Sequence, residues 1–192
     1  MKPFRDNCQV EGVLKASGPQ IISMLREQLQ QDIGRHMYGV LGSYECLARF
    51  ETDDLAQARD AHGVLFPKPL NLNRELLSRI GDDDLRQLVK DEARRPQSVQ
   101  DRLNRELNGF LRDAFSNSRF IILKQLEILF AYGLDFGVLR THASDQYHML
   151  LLLPGERRSD HLVIFHEAQS DFHREIPMNL VADNHLWELA DG

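Results

Sequence analysis

The spacing of apolar residues changes character at Gly133. Ahead of it they recur in steps of three and four. Ile22, Leu25, Leu29, Ile33, Met37, Val40, Tyr44 and Leu47 make one stripe, and Val99, Leu103, Leu107, Phe110 and Ala114 another. Such steps put apolar side chains on one face of a helix. Behind Gly133 the apolar residues come in short runs, 134–142, 146–153 and 161–166, divided by Ala143-Ser144-Asp145 and Pro154-Gly155-Glu156. Short runs bounded by turn residues read as antiparallel strands. Helices first and strands afterwards predict an α+β fold and argue against a doubly wound sheet. The expectation is one domain, 1–192. Its helical N-terminal two-thirds (1–133) packs against a C-terminal antiparallel meander of three to five strands (134–192).

Local signals place the elements. Residues 7–16 hold a short strand, and Ser17-Gly18-Pro19 opens a helix with proline in its first turn. Gly34, Gly39 and Gly42 mark a break near Arg35 within the long stripe, with helix favoured beyond it. Thr52-Asp53-Asp54 caps a short helix to about His62, and 63–73 is a loop. A short helix follows through Leu76, Leu77 and Ile80, ended by Gly81. Asp82-Asp83-Asp84 opens another, closed by Arg94-Arg95-Pro96, with charges that suit the helix dipole at both ends. Ser98 begins the next. The run 120–132 is apolar nearly all round, which predicts a central core helix capped by Gly133. Ile176, Met178 and Leu180 alternate, then Asp183-Asn184 turns into 186–189; this reads as a final hairpin, with a helix as the alternative.

Composition narrows the class. The chain is 42% hydrophobic and 27% charged, enough for a core and too apolar for wholesale disorder. The longest apolar run, 149–153, is far too short to span a bilayer, and the first six residues lack the apolar stretch of a secretory signal. Cys8 and Cys46 are far apart and fit reduced thiols. A soluble, cytoplasmic protein is expected. There is no Gly-x-Ser-x-Gly elbow and no glycine-rich phosphate loop.

Charge is placed unevenly. From Ala143 onward there are nine acids against three arginines, which accounts for the whole net charge of −6. An acidic face repels phosphate backbones, so neither nucleic acid nor an anionic membrane is expected as a partner. The favoured reading is a non-enzymatic interaction module without a cofactor: a regulator, adaptor or immunity-type inhibitor. It would present Asp160, Glu167, Asp171 and Glu175 to a basic protein partner, and a homodimer stays open. Arg102, Arg105, Arg112 and Arg119 line one helix face but interleave with Asp101, Glu106 and Asp113, as on an ordinary solvated face.

Two other constellations carry chemistry. Asp145 begins one expected strand and Glu167-Ala168-Gln169 ends the next, with Glu127 on a preceding helix. This pattern resembles the metal site of the restriction-endonuclease-like nucleases. The resemblance implies that Asp145 and Glu167 hold Mg²⁺ while Gln169 orients the attacking water or the phosphate. Gln stands where Lys is commoner, and the region is poor in the cations that would hold DNA. Six of the eight histidines fall between His142 and His185, including His148, His161, His166 and His173. They lack zinc-motif spacing; in an acidic field they are expected to stay protonated to higher pH than isolated histidines.

Overall fold

The computed structural model describes residues 14–134, 136–158, 161–165, 167–168, 173–177, 181 and 185–190. Its centre is a parallel sheet. Six strands, β1 (Leu14–Ala16), β2 (Met37–Gly42), β3 (Leu70–Asn71), β4 (Phe120–Lys124), β5 (His148–Arg158) and β8 (Leu186–Leu189), lie in the order β1-β8-β2-β5-β4-β3. Every pairing along that path is parallel. β5 outruns its parallel neighbours. Its far half pairs antiparallel with β6 (His161–Ile164), which pairs antiparallel with β7 (Arg174–Pro177).

The architecture is therefore α/β. The expected helical body against an antiparallel C-terminal meander is overturned. Only the β5–β6–β7 ribbon has the expected pairing. β8 lies between β1 and β2 rather than in a terminal hairpin. Met178, Leu180, Asp183 and Asn184 of that expected hairpin lie outside the described residues, as do Cys8 and the start of the expected first strand.

Alternation along the strands builds two cores. Met37, Leu41, Ile121, Leu123, Met149, Leu151, Leu153 and Leu186 face one way. They are covered by α3 (Leu72–Arg79), α5 (Pro96–Asn117), α6 (Glu127–Ala131) and α7 (Phe136–His142), with α4 (Asp82–Glu92) docked through Leu85 and Leu88. Tyr38, Val40, Ile122, Leu150, Leu152, Trp187 and Leu189 face the other way. There they meet Ile21, Ile22 and Leu25 of α1 (Gly18–Gln28) and Leu47 of α2 (Tyr44–Arg49). The chain leaving α2 continues without a break through a π-helical turn (Phe50–Asp54) and a 3-10 turn (Leu55–Gln57).

Each correction has a local cause. The long stripe from Ile22 is α1 only to Gln28. Met37 and Val40, expected on a helix, belong to β2, whose residues are all buried. Glycine fits there because neighbours press close: a Cβ on Gly39 would lie 2.7 Å from Leu186 Cδ1. Thr52-Asp53-Asp54 caps nothing; it lies inside the π-helical turn. The expected core helix 120–132 is β4 and α6, split at Gln125, whose φ of 54° is left-handed. Phe-Ile-Ile-Leu is apolar on successive residues because both faces of a central parallel strand are covered. The expected strand 134–142 is instead α7, which buries Leu139. Pro154-Gly155-Glu156 does not turn; β5 runs through it. Pro154 stands where parallel pairing ends, and its carbonyl accepts from Phe165 N–H at 2.6 Å. At Gly155 the Val163 carbonyl of β6 occupies the place a Cβ would need.

The helix starts fare better. Ser17 N–H and hydroxyl both donate to Gln20 Oε1, at 2.9 and 3.0 Å, and α1 follows with Pro19 in its first turn. α4 starts at Asp82 behind Gly81, as expected, and ends at Glu92 ahead of Arg94-Arg95-Pro96; α5 starts at Pro96, two residues before the expected Ser98.

Candidate functional site

In open parallel sheets, ligands gather at the carboxyl ends of strands, where successive connections leave in opposite directions. Here that place is β2 and β5. From β2 the chain travels out to β3, returns through β4 to β5, then crosses to β8 on the far side of β2. At this end the chain carries Ser43 and the first residue of α2, Tyr44, after β2, Asn73 in the first turn of α3 after β3, and Gln125 and the first residue of α6, Glu127, after β4.

These residues bind one another. Glu167 Oε2 accepts from Tyr44 N–H at 3.0 Å. Tyr44 hydroxyl donates to Glu127 Oε1 at 3.4 Å, and Glu127 Oε2 accepts from Asn73 Nδ2 at 2.8 Å. Asn73 Oδ1 in turn accepts from Ile128 N–H at 3.0 Å. Ser43 Oγ caps α2 by accepting from Cys46 N–H at 3.0 Å. Lys124 Nζ lies 2.7 and 2.8 Å from the two oxygens of Glu51, and Asn71 donates to Gln125. Burial and the two glutamates push the Tyr44 phenol up to about 12. The connection between β2 and α2 is the single residue Ser43, where a phosphate-binding turn would need several backbone N–H groups. A carboxylate of the chain itself, Glu167, already takes the Tyr44 N–H.

The expected metal pair is not brought together. Asp145 lies at the amino end of the sheet, at the tip of the turn into β5, with a φ of 55° and its N–H donating to Gly34 O. Glu167 lies at the carboxyl end. β2, whose six residues at ~3.3 Å each span roughly 20 Å, runs between them. Glu127 and Glu167 are the carboxylates that converge, on Tyr44. Gln169 lies outside the described residues, as do Asp160 and Asp171. Among the described residues no group of three His, Cys, Asp or Glu is placed to hold a metal ion.

The amino end is different. His36 immediately precedes β2, Tyr38 is its second residue, and His148 opens β5 beside them. Tyr38 hydroxyl lies 3.2 Å from His36 Nδ1 and 3.2 Å from His148 Nδ1. The hydroxyl also lies 3.5 Å from Gln28 O; its one proton goes to one of these three neighbours, and a ring that does not receive it donates its own Nδ1–H to the hydroxyl oxygen. They stack with centroids 4.3 Å apart, and the ring of His185 lies 4.7 Å from that of Tyr38. His36 Nε2 and His185 Nδ1 are buried with no hydrogen-bond partner. Burial drives all three histidines down, His148 to about 4; Asp145 and Asp32 pull His36 the other way more weakly, and Asp32 does so for His148. The expected upward shift is thus reversed for His148 and His185, and burial lowers His142 as well. His36 and Tyr38 went unnoticed in the sequence; a strand reading of 36–42 would have put both on one face.

No protein-family model, curated protein or solved structure matches the chain.

Beside the histidine group lies a cleft of about 520 Å³. His148 lines it, with Leu29, Leu65, Phe66 and Phe120 as apolar walls. A shallower cleft adjoins it and holds Asp145 and His142; Asp32, Arg119 and Gln146 line both.

Proposed function

We propose that the chain is a non-enzymatic interaction module, a regulator, adaptor or inhibitor that receives a basic protein partner. The observation that supports it is the self-closure of the carboxyl edge. Where an α/β enzyme of this topology keeps its ligand, Glu167, Glu127, Asn73 and Tyr44 satisfy one another, and one residue replaces the phosphate-binding turn. The proposed contact surface is the β5–β6–β7 ribbon, where Glu175 lies on β7; Asp160, Glu167 and Asp171 are the other acids proposed to meet the partner. β7 pairs with β6 alone among the described strands, and an edge strand offers backbone groups to an added strand. The Glu175 side chain on it is 76% exposed, its contact with His161 Nε2 a long 3.9 Å. By contrast Glu188 is held by Lys15 at 2.8 Å, and Glu156 by Arg158 at 2.7 Å.

The test is affinity capture with the intact chain at low and high salt, followed by native mass measurement. A stoichiometric basic partner, or a defined homodimer, is expected. The association should weaken with salt and with Glu175→Lys, whose reversed charge repels the same partner. A chain that stays monomeric and captures nothing counts against the proposal. So does Mg²⁺-dependent cleavage of DNA or RNA that Glu167→Ala removes.

A further inference from the structure

We infer that the amino-end cleft is a binding site for a free amino acid with a large apolar side chain, held as its zwitterion. Its volume of about 520 Å³ lies within the range of small-molecule sites, and its walls combine apolar side chains with a few polar groups. Leu29, Leu65, Phe66 and Phe120 provide the apolar part. Asp32 and Arg119 are both exposed, and neither side chain makes a hydrogen bond or ion pair within the described residues, although both line the cleft; the Arg119 carbonyl alone is used, accepting from His148 N–H. One uncommitted carboxylate and one uncommitted guanidinium complement an ammonium and a carboxylate on a single ligand.

The remaining charges fit the same ligand. Arg26 donates to Arg59 O at 2.5 Å, and Asp60 accepts from His62 N–H and Val64 N–H at 2.9 and 2.8 Å, so both are occupied by the chain. They still balance each other. A polyanion would meet Asp32 and Asp60, and a polyamine would meet Arg26 and Arg119. His148 completes the site: it is 4% exposed, its Nδ1 is tied to Tyr38, its ring stacks on His36, and its Nε2 makes no hydrogen bond among the described residues. Its remaining nitrogen is left for the ligand. Because the Tyr38 hydroxyl can swap donor and acceptor roles between the two rings, that nitrogen can give or take a hydrogen bond.

This inference is independent of the partner proposed for the β5–β6–β7 ribbon, and calorimetry on the isolated full chain tests it. L-phenylalanine and L-leucine should bind saturably. N-acetyl-L-phenylalanine, which lacks the cation, and phenethylamine, which lacks the carboxylate, should bind at least ~10-fold more weakly, a factor typical of one lost charge-assisted contact. Arg119→Met should weaken L-phenylalanine about 10-fold and leave phenethylamine unchanged; Asp32→Asn should weaken it similarly and leave the N-acetyl compound unchanged. Both residues are exposed, so circular dichroism should show both variants folded. No saturable binding of either amino acid up to roughly 10 mM, an affinity weaker than about 3 kcal/mol, would overturn the inference. Binding that ignores both substitutions, or equal binding of all four compounds, would overturn it too.

Discussion

The two ends of the parallel sheet handle polar groups in opposite ways. At the carboxyl end, charged and amide side chains lie near the surface and are matched: Lys124 with Glu51, Asn73 with Glu127 and Ile128 N–H, Glu167 with Tyr44 N–H. At the amino end, aromatic polar groups are buried and mismatched. One tyrosine hydroxyl serves two imidazoles, while His36 Nε2 and His185 Nδ1 have no partner. A matched network stabilises modestly and changes little with conditions. A buried mismatch costs stability and makes the fold sensitive to protons. A fold keeps the costlier arrangement at the end that also carries an open cleft, and that contrast is the reason to seek binding there.

The largest expected effect is on pH dependence. His36, His148 and His185 are depressed in the folded protein, so the unfolded chain binds protons first as pH falls. Their contribution is fully present above about pH 6.5, the unfolded value, and is lost as pH falls toward the folded value. His148, shifted down to about 4, should alone cost about 3 kcal/mol by pH 4. Urea unfolding at pH 7.5, 6.5, 5.5 and 4.5 should show a steady decline that begins near 6.5, and His148→Gln should flatten it. A profile that stays level down to pH 4.5 would mean the amino end is not the sensitive one.

Next comes Tyr38→Phe, which removes the hydroxyl between two buried rings and leaves both Nδ1 atoms unmatched. A loss of about 2 kcal/mol at neutral pH is expected, within the cost of orphaning buried polar groups. Both rings lose their Nδ1 partner with it, visible as a change in the imidazole nitrogen chemical shifts of His36 and His148. If the shifts of both rings stay where they were, Tyr38 is not their arbiter.

What the sequence told, and what it hid, divides along the same physical line. Helix starts are written locally. Ser17 before Pro19 and Asp82-Asp83-Asp84 after Gly81 needed no knowledge of neighbours. Strand pairing is not written locally. The runs at β5, β6 and β8 were visible as strands, but a parallel partner more than a hundred residues away, as β2 is to β5, leaves no mark in either segment. Central strands also lose alternation because both faces are covered, so Phe120-Ile121-Ile122-Leu123 looked like a greasy helix. For the candidate site, Glu127 and Glu167 do share a neighbour in Tyr44, whereas Asp145 stays apart because the antiparallel pairing with β6 covers only Gly155–Arg158 of β5 and never reaches back to its start. His36 and Tyr38 lay in a segment read as helix, where two residues apart means different faces.

The carboxyl end supplies the smaller effects. Asn73→Ala strips Ile128 N–H of its acceptor and Glu127 of a donor, and should cost about 1 kcal/mol. Glu167→Ala frees the Tyr44 N–H at the exposed start of α2 and should cost less, roughly 0.5 kcal/mol. Both should lower the urea midpoint by the same amount at pH 7.5 and pH 5.5, since neither touches the buried histidines. That equality, more than the size of the loss, separates the two ends. If Glu167→Ala destabilised more at pH 5.5 than at 7.5, protons would be coupled to the carboxyl end as well, and the division of labour between the two ends would fail.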